Sequence, residues 1–164
     1  MRYDMQSWVR LALLLAVPAC ANAGGGGATP DVGARAPATA SPACARAEID
    51  GMMTRAAAAW TRGDLDAFMS DYLDSDSTTY IGGNRLIRGK AAIRDVYAPR
   101  FAPGGVRDSL SFEGLEVDLL APRIAHTFAF YVLSRGDSVV ARGPTSLLMR
   151  KVGGRWLIVH DHSS

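Results

Sequence analysis

An α+β fold, with helices packed on one face of a curved antiparallel sheet, is the class this sequence predicts. Two observations carry that reading. Apolar residues recur at helical spacing from Ile49 to Trp60, from Leu65 to Tyr72 and from Ile93 to Tyr97. After Leu110 the chain becomes a succession of β-branched and aromatic runs separated by Gly, Pro and Asp turns. The expected order is α-α-β-β-α-β-β-β-β, three helices and a meander of long, bent strands.

Residues 1–23 stand apart from that fold. Arg2 and Arg10 give a positive start, Leu11 to Val17 an apolar core, and small residues follow, as in a secretion signal. The apolar run is too short for a transmembrane helix. Val17-Pro18-Ala19-Cys20 resembles a bacterial lipobox, with Pro18 departing from the usual residue, and would make Cys20 a lipidated N-terminus. Ala21-Asn22-Ala23 offers simple cleavage instead. Residues 24–43, rich in Gly, Ala, Pro and Thr, read as a flexible linker, which leaves 44–164 as the folded domain. The protein is thus expected to be exported, lipid-anchored at the cell envelope or periplasmic, and to touch membrane only through that anchor. Cys44 then remains alone, so no disulfide framework is expected.

Within the domain, Ser41-Pro42 starts the first helix and Gly63 ends it. Asp64 caps a second helix carrying Leu65, Phe68, Met69 and Tyr72 on one face. Thr78 to Ile81 and Arg85 to Arg88 form a hairpin about Gly82-Gly83-Asn84. Gly89 opens a third helix that Pro99 is expected to stop. The long strands follow: Leu110 to Leu120, bent at Gly114, Ile124 to Ser134, and Ser138 to Lys151, interrupted by Gly143-Pro144. About 120 residues suffice for a core, at roughly 1.5–3 kcal/mol per fully buried large apolar side chain.

Charge narrows the function. A net charge of +2, with arginines scattered along the chain, provides no basic footprint for nucleic acid. The final strand, from Arg155, holds two of the chain's three histidines. Regular alternation puts Trp156, Ile158, His160 and His162 on one face and Leu157, Val159 and Asp161 on the other. Asp161 then reads as a surface partner for Arg150 or Arg155, and a bulge or twist would reverse the assignment.

Several of these residues also carry a family resemblance. The corner Ala59-Trp60-x-x-Gly63-Asp64, Arg88-Gly89, Gly153-Gly154-x-Trp156 and the ending Trp156-x-Ile158-Val159-His160-Asp161-His162-Ser163 resemble small SnoaL-like proteins. These belong to the nuclear-transport-factor-2-like, or ketosteroid-isomerase-like, superfamily, and the resemblance spans residues 45–164. It implies a cone-shaped, cystatin-like α+β fold, a homodimer through the sheet and a pocket between sheet and helices. The association domain of calmodulin-dependent kinase ends in a similar His-x-His strand. Isomerases, cyclases, dehydratases and proteins without known activity share the fold, so the fold does not deliver the function. The tyrosine and two aspartates of steroid isomerases find no matching set in this chain.

The function expected is binding of a small organic molecule, with cofactor-free proton transfer or hydration if the domain is an enzyme. His160 and His162 are the candidate bases, because imidazole titrates near neutrality. Trp60, Tyr72, Tyr80, Tyr97, His126 and Arg142 are the candidate ligand-binding residues; core packing explains the aromatics equally, and solvation explains Arg142. A zinc site would need His126 as third ligand beside His160 and His162, and no Cys or Glu spacing supports it. The alternative is a non-catalytic association module, whose cavity would be closed by Trp60 and Phe128.

Overall fold

The structure is a computed structural model that describes residues 41–104 and 107–164. The leader, Cys20 and the linker to residue 40 lie outside the described residues. Helix α1 spans Pro42–Arg62, two residues ahead of the expected domain start, and the Ser41 side chain accepts from the Cys44 amide at 3.3 Å. At its far end Gly63 takes φ 77°. The Gly63 and Asp64 amides close on the Trp60 and Ala59 carbonyls at 2.9 Å each, a double closure that turns the chain sharply.

Helix α2 is only Leu65–Met69, capped by the Asp64 carboxylate on the Ala67 amide at 2.9 Å. The apolar spacing predicts a helix reaching Tyr72. It stops early because residues 71–73 bond instead to the last strand: Ile158 N–H donates to the Asp71 carbonyl and Leu73 N–H to the Ile158 carbonyl. Strands β1 (Thr79–Gly82) and β2 (Arg85–Arg88) pair about a two-residue Gly83-Asn84 turn with Gly83 at φ 57°. Helix α3 spans Lys90–Phe101 and runs through Pro99, correcting the expected stop. The carbonyl that Pro99 deprives of a donor is that of exposed Asp95. Phe101 holds the last turn, its ring 5.2 Å from Trp60 and 5.7 Å from Phe68.

Strands β3 (Ser109–Ala121), β4 (Ile124–Arg135), β5 (Ser138–Val152) and β6 (Arg155–Ser163) complete the sheet. The order is β2-β1-β6-β5-β4-β3, antiparallel throughout except between β1 and β6. Register shifts near Gly114, at Leu133/Ser134 and at Leu148/Met149 bend the long strands, as bulges do. Strand β5 is not interrupted at Gly143-Pro144. Pro144 lies one residue beyond the last β5–β6 pair, Thr145 with Ser163, so that ladder does not need its missing N–H.

The helices cover the inner face of the sheet. Ile49, Met52, Met69, Ile93 and Met149 are fully buried between the layers. Glu48 on α1 accepts from Trp156 Nε1 at 2.8 Å and from Lys151 Nζ at 2.5 Å, tying that helix to β5 and β6. On the outer face Phe128 and Phe130 remain 43% and 40% exposed.

Candidate functional site

Between the helices and the inner face of the sheet lies a cavity of about 220 Å³. Its aromatic wall is made by α1 (Trp60), α2 (Phe68), the Tyr72 segment, β1 (Tyr80) and α3 (Tyr97). Trp60 meets Phe68 edge to face at 5.5 Å and Phe68 meets Tyr97 edge to face at 5.1 Å, the arrangement the ring quadrupole favours. Tyr80 leans over Gly82, where a Cβ would stand 2.1 Å from its hydroxyl oxygen. Only a glycine there leaves the ring in place.

A carboxylate sits in this apolar setting. Asp161 is 3% exposed and lines the cavity. Its Oδ2 accepts from the Tyr72 hydroxyl at 2.5 Å and from the Tyr97 hydroxyl at 3.3 Å, while Oδ1 accepts from Ser163 Oγ at 2.7 Å. Burial raises the proton affinity of Asp161, opposed by the three hydroxyls and by the charge of His160. Burial also drives the Tyr72 and Tyr97 phenols well above their ordinary range, and the Asp161 charge adds to it. Tyr80 is raised for the same two reasons. All three phenols therefore remain hydrogen-bond donors across the neutral range.

Asp161 reaches the cavity because β6 is bulged. Leu148 pairs with His160 and Met149 with Ile158, so Val159 is an extra residue. At the same point β6 changes neighbour, from the Tyr72 segment at Ile158 to β1 at His160. Trp156 and Ile158 point inward before the bulge, Asp161 and Ser163 after it. The expectation that His160 and His162 share a face with Trp156 and Ile158 is thereby corrected.

Comparison with known proteins agrees with this architecture. A family model described as the SnoaL-like domain matches residues 49–164. The chain belongs to the SnoaL-like family. No curated protein matches the sequence. Among solved structures, the SnoaL-like domain is similar to an NTF-2-like protein of unknown function from Shewanella oneidensis, at 26% identity and a TM-score of 0.63, covering 72% of this chain and 97% of that one. It is also similar to a proposed dehydratase of the NTF2-like family from Streptomyces avermitilis, at 17% identity, a TM-score of 0.66 and coverage of 76% and 97%. A proposed calcium/calmodulin-dependent protein kinase type II association domain from Thiobacillus denitrificans matches at 19% identity, a TM-score of 0.61 and coverage of 70% and 92%. At 17% and 19% identity the last two establish the fold alone.

In this SnoaL-like domain the sequence-derived site residues fall into two groups. Trp60, Tyr72, Tyr80 and Tyr97 line the cavity. His126, Arg142, His160 and His162 lie on the outer face of the sheet. His160 and His126 both pair with Leu148, and His162 and Phe128 both pair with Ser146, so these side chains share a side. His160 Nδ1 and Thr79 Oγ1 share a hydrogen bond of 2.7 Å. Arg142 lies 3.9 Å from the Phe130 ring centroid and bonds Glu113 at 3.3 Å. Among the described residues no three His, Cys, Asp or Glu side chains are placed to hold a metal ion.

Asp161 is the residue that sequence reasoning set aside. It pairs with neither Arg150 nor Arg155; Arg155 bonds Asp71 at 3.4 Å instead. Its signal was present only as the reversal a bulge would bring.

Proposed function

We propose that the cavity binds a small organic molecule and that Asp161 moves a proton on it without a cofactor, the chemistry of an isomerase, cyclase or dehydratase. The observation that carries this reading is a buried carboxylate held by phenols in a largely apolar cavity. Desolvation makes Asp161 a better base than a solvated carboxylate. As Asp161 takes a proton from the carbon beside a carbonyl, the electron pair moves to the carbonyl oxygen. The protonated hydroxyl of Tyr80 is the donor available to that oxygen, since the Tyr72 and Tyr97 hydroxyls are given to Asp161, and a preorganised donor of this kind supplies a large share of such catalysis. In an isomerisation the proton returns to a second carbon; in a dehydration it leaves with the departing hydroxyl as water.

The test is proton exchange. Small cyclic ketones and β-hydroxy ketones are incubated in D₂O and followed by NMR for loss of the α-proton signal or of water. The expected result is acceleration of at least one probe by the wild type, reduced roughly a hundredfold or more in Asp161→Asn. Equal rates for the two proteins would overturn the assignment.

The association-module alternative asked for a cavity closed by Trp60 and Phe128. Trp60 forms part of the wall and Phe128 stands on the other side of the sheet, which favours the ligand-binding reading. Dimerisation belongs to the same proposal: a second copy covers the outer face at Phe128 and Phe130. Export belongs to it too, resting on the leader sequence and Cys20. The intact mass of membrane-extracted protein checks the anchor, a lipid adduct on Cys20 supporting it and a start at Gly24 replacing it by simple cleavage.

A further inference from the structure

Arg100 gives the cavity a second charge, and among the described residues no carboxylate pairs with it. It is a solvent-exposed residue in the last turn of α3 that also lines the cavity, its guanidinium carbon 5.9 Å from the Trp60 ring centroid. The ion pairs among the described residues are Arg94–Asp66, Arg135–Asp108, Arg142–Glu113, Lys151–Glu48 and Arg155–Asp71, and none uses Arg100. Asp161, the other charged residue of the lining, is engaged by Tyr72, Tyr97 and Ser163 instead. The α3 dipole favours a cation in this turn, which accounts for the charge but not for a guanidinium on the cavity wall.

The lining thus offers a cation, a phenol-bound carboxylate, and rings and aliphatic groups. Tyr80 feels both charges, Arg100 easing and Asp161 opposing its ionisation. We infer that the ligand is a small, ring-bearing organic acid whose carboxylate is received by Arg100 while its ring lies against Trp60 and Tyr80. A guanidinium presents paired N–H donors that match the two oxygens of a carboxylate. The same acid group placed beside Asp161 would be repelled once that residue ionises, so the ligand has one orientation. The volume of about 220 Å³ lies below the ~300–1,000 Å³ of drug-sized pockets, which limits the ligand to about one ring and a short side chain.

This inference rests on the cavity being the ligand site, and the experiment separates the two claims. Phenylacetate and cinnamate are titrated calorimetrically into the wild type beside their primary amides, which match them in shape and lack the charge. The acids are expected to bind roughly tenfold or more tighter than the amides. Arg100→Gln removes that preference and leaves amide binding unchanged, Arg100→Lys restores part of it, and Arg94→Gln, outside the cavity, retains all of it. Acids and amides binding equally, or a preference that survives Arg100→Gln, would overturn the carboxylate inference and leave the cavity reading standing. Binding of neither class would overturn both.

Discussion

The Tyr72 hydroxyl donates a 2.5 Å hydrogen bond to the Asp161 carboxylate, joining side chains 89 positions apart in the chain. Both ends of that bond depend on the backbone of Ile158. On one side Ile158 draws Tyr72 out of helical geometry through bonds to Asp71 and Leu73. On the other, the extra residue immediately after it turns Asp161 inward. The distortion occurs where β6 exchanges one neighbour for another, so the same irregularity supplies both the carboxylate and its principal donor.

That carboxylate predicts a pH dependence of stability. Asp161 is raised above its ordinary value of 3.8, chiefly by burial. Between the unfolded and folded values the native state holds a proton that the unfolded chain has lost. Stability is therefore greatest below the unfolded value and falls as pH rises through the folded one, with a slope of up to about 1.4 kcal/mol per pH unit. Asp71 is raised in the same direction, so the comparison must be with a variant. Urea unfolding from pH 4 to 8 is expected to show a steeper decline for the wild type than for Asp161→Asn. Parallel curves would mean that Asp161 ionises in the fold as it does in water.

Gly82 predicts a functional effect with little structural cause. Its φ is ordinary, so the constraint is space alone: a Cβ would meet the Tyr80 hydroxyl oxygen at 2.1 Å and the adjoining ring carbon at 2.4 Å. Gly82→Ala is expected to change stability by less than about 1 kcal/mol, the scale of the glycine-to-alanine backbone term. It displaces Tyr80 from the cavity wall, and phenylacetate affinity should fall by roughly tenfold or more, as for other small changes in pocket shape. Undiminished affinity, measured calorimetrically, would remove Tyr80 from the ligand site.

How far the sequence reveals this site depends on whether a feature is local. The α1 periodicity, the Gly63-Asp64 corner and the Gly83-Asn84 hairpin are fixed by neighbouring residues, and each appears as expected. Trp60, Tyr72, Tyr80 and Tyr97 can be nominated because large amphipathic rings gather where layers meet. Asp161 cannot be reached in that way. Its face follows from alternation along β6, and alternation is broken by a change of neighbour that involves residues more than 70 positions away. The sequence Ile158-Val159-His160 carries no glycine to mark the bulge. Helix α2 ends early for the same non-local reason, and the histidine pair moves to the outer face as a consequence.

The outer face itself is open to test. Phe128 and Phe130 are 43% and 40% exposed, and the His126 ring lies 4.2 Å from Phe128. A second copy covering this surface would be driven off by charge. Replacing both phenylalanines with aspartate should raise the dimer Kd at least a hundredfold, about 2.7 kcal/mol, while circular dichroism stays unchanged. Light scattering across a micromolar concentration series reads the result. A wild type that stays monomeric throughout, or a double variant that stays dimeric, would assign the dimer elsewhere or nowhere.

Thr127 offers a stabilising substitution within β4. It is 1% exposed, and its Oγ1 has no hydrogen-bond partner. It stands on β4 opposite Val117 on β3 and Leu147 on β5, in surroundings that reward a methyl group and not a hydroxyl. An unsatisfied buried hydroxyl costs about 1–3 kcal/mol, and valine keeps the shape while removing it. Thr127→Val is therefore expected to raise stability by about 1 kcal/mol, or several degrees in Tm for a domain of this size. Thr127→Ser keeps the hydroxyl and loses the methyl, and should lower stability by about 1 kcal/mol. Thermal unfolding of the three proteins decides it. A Thr127→Val variant less stable than the wild type would show that the hydroxyl is satisfied in solution, as by a buried water at that position.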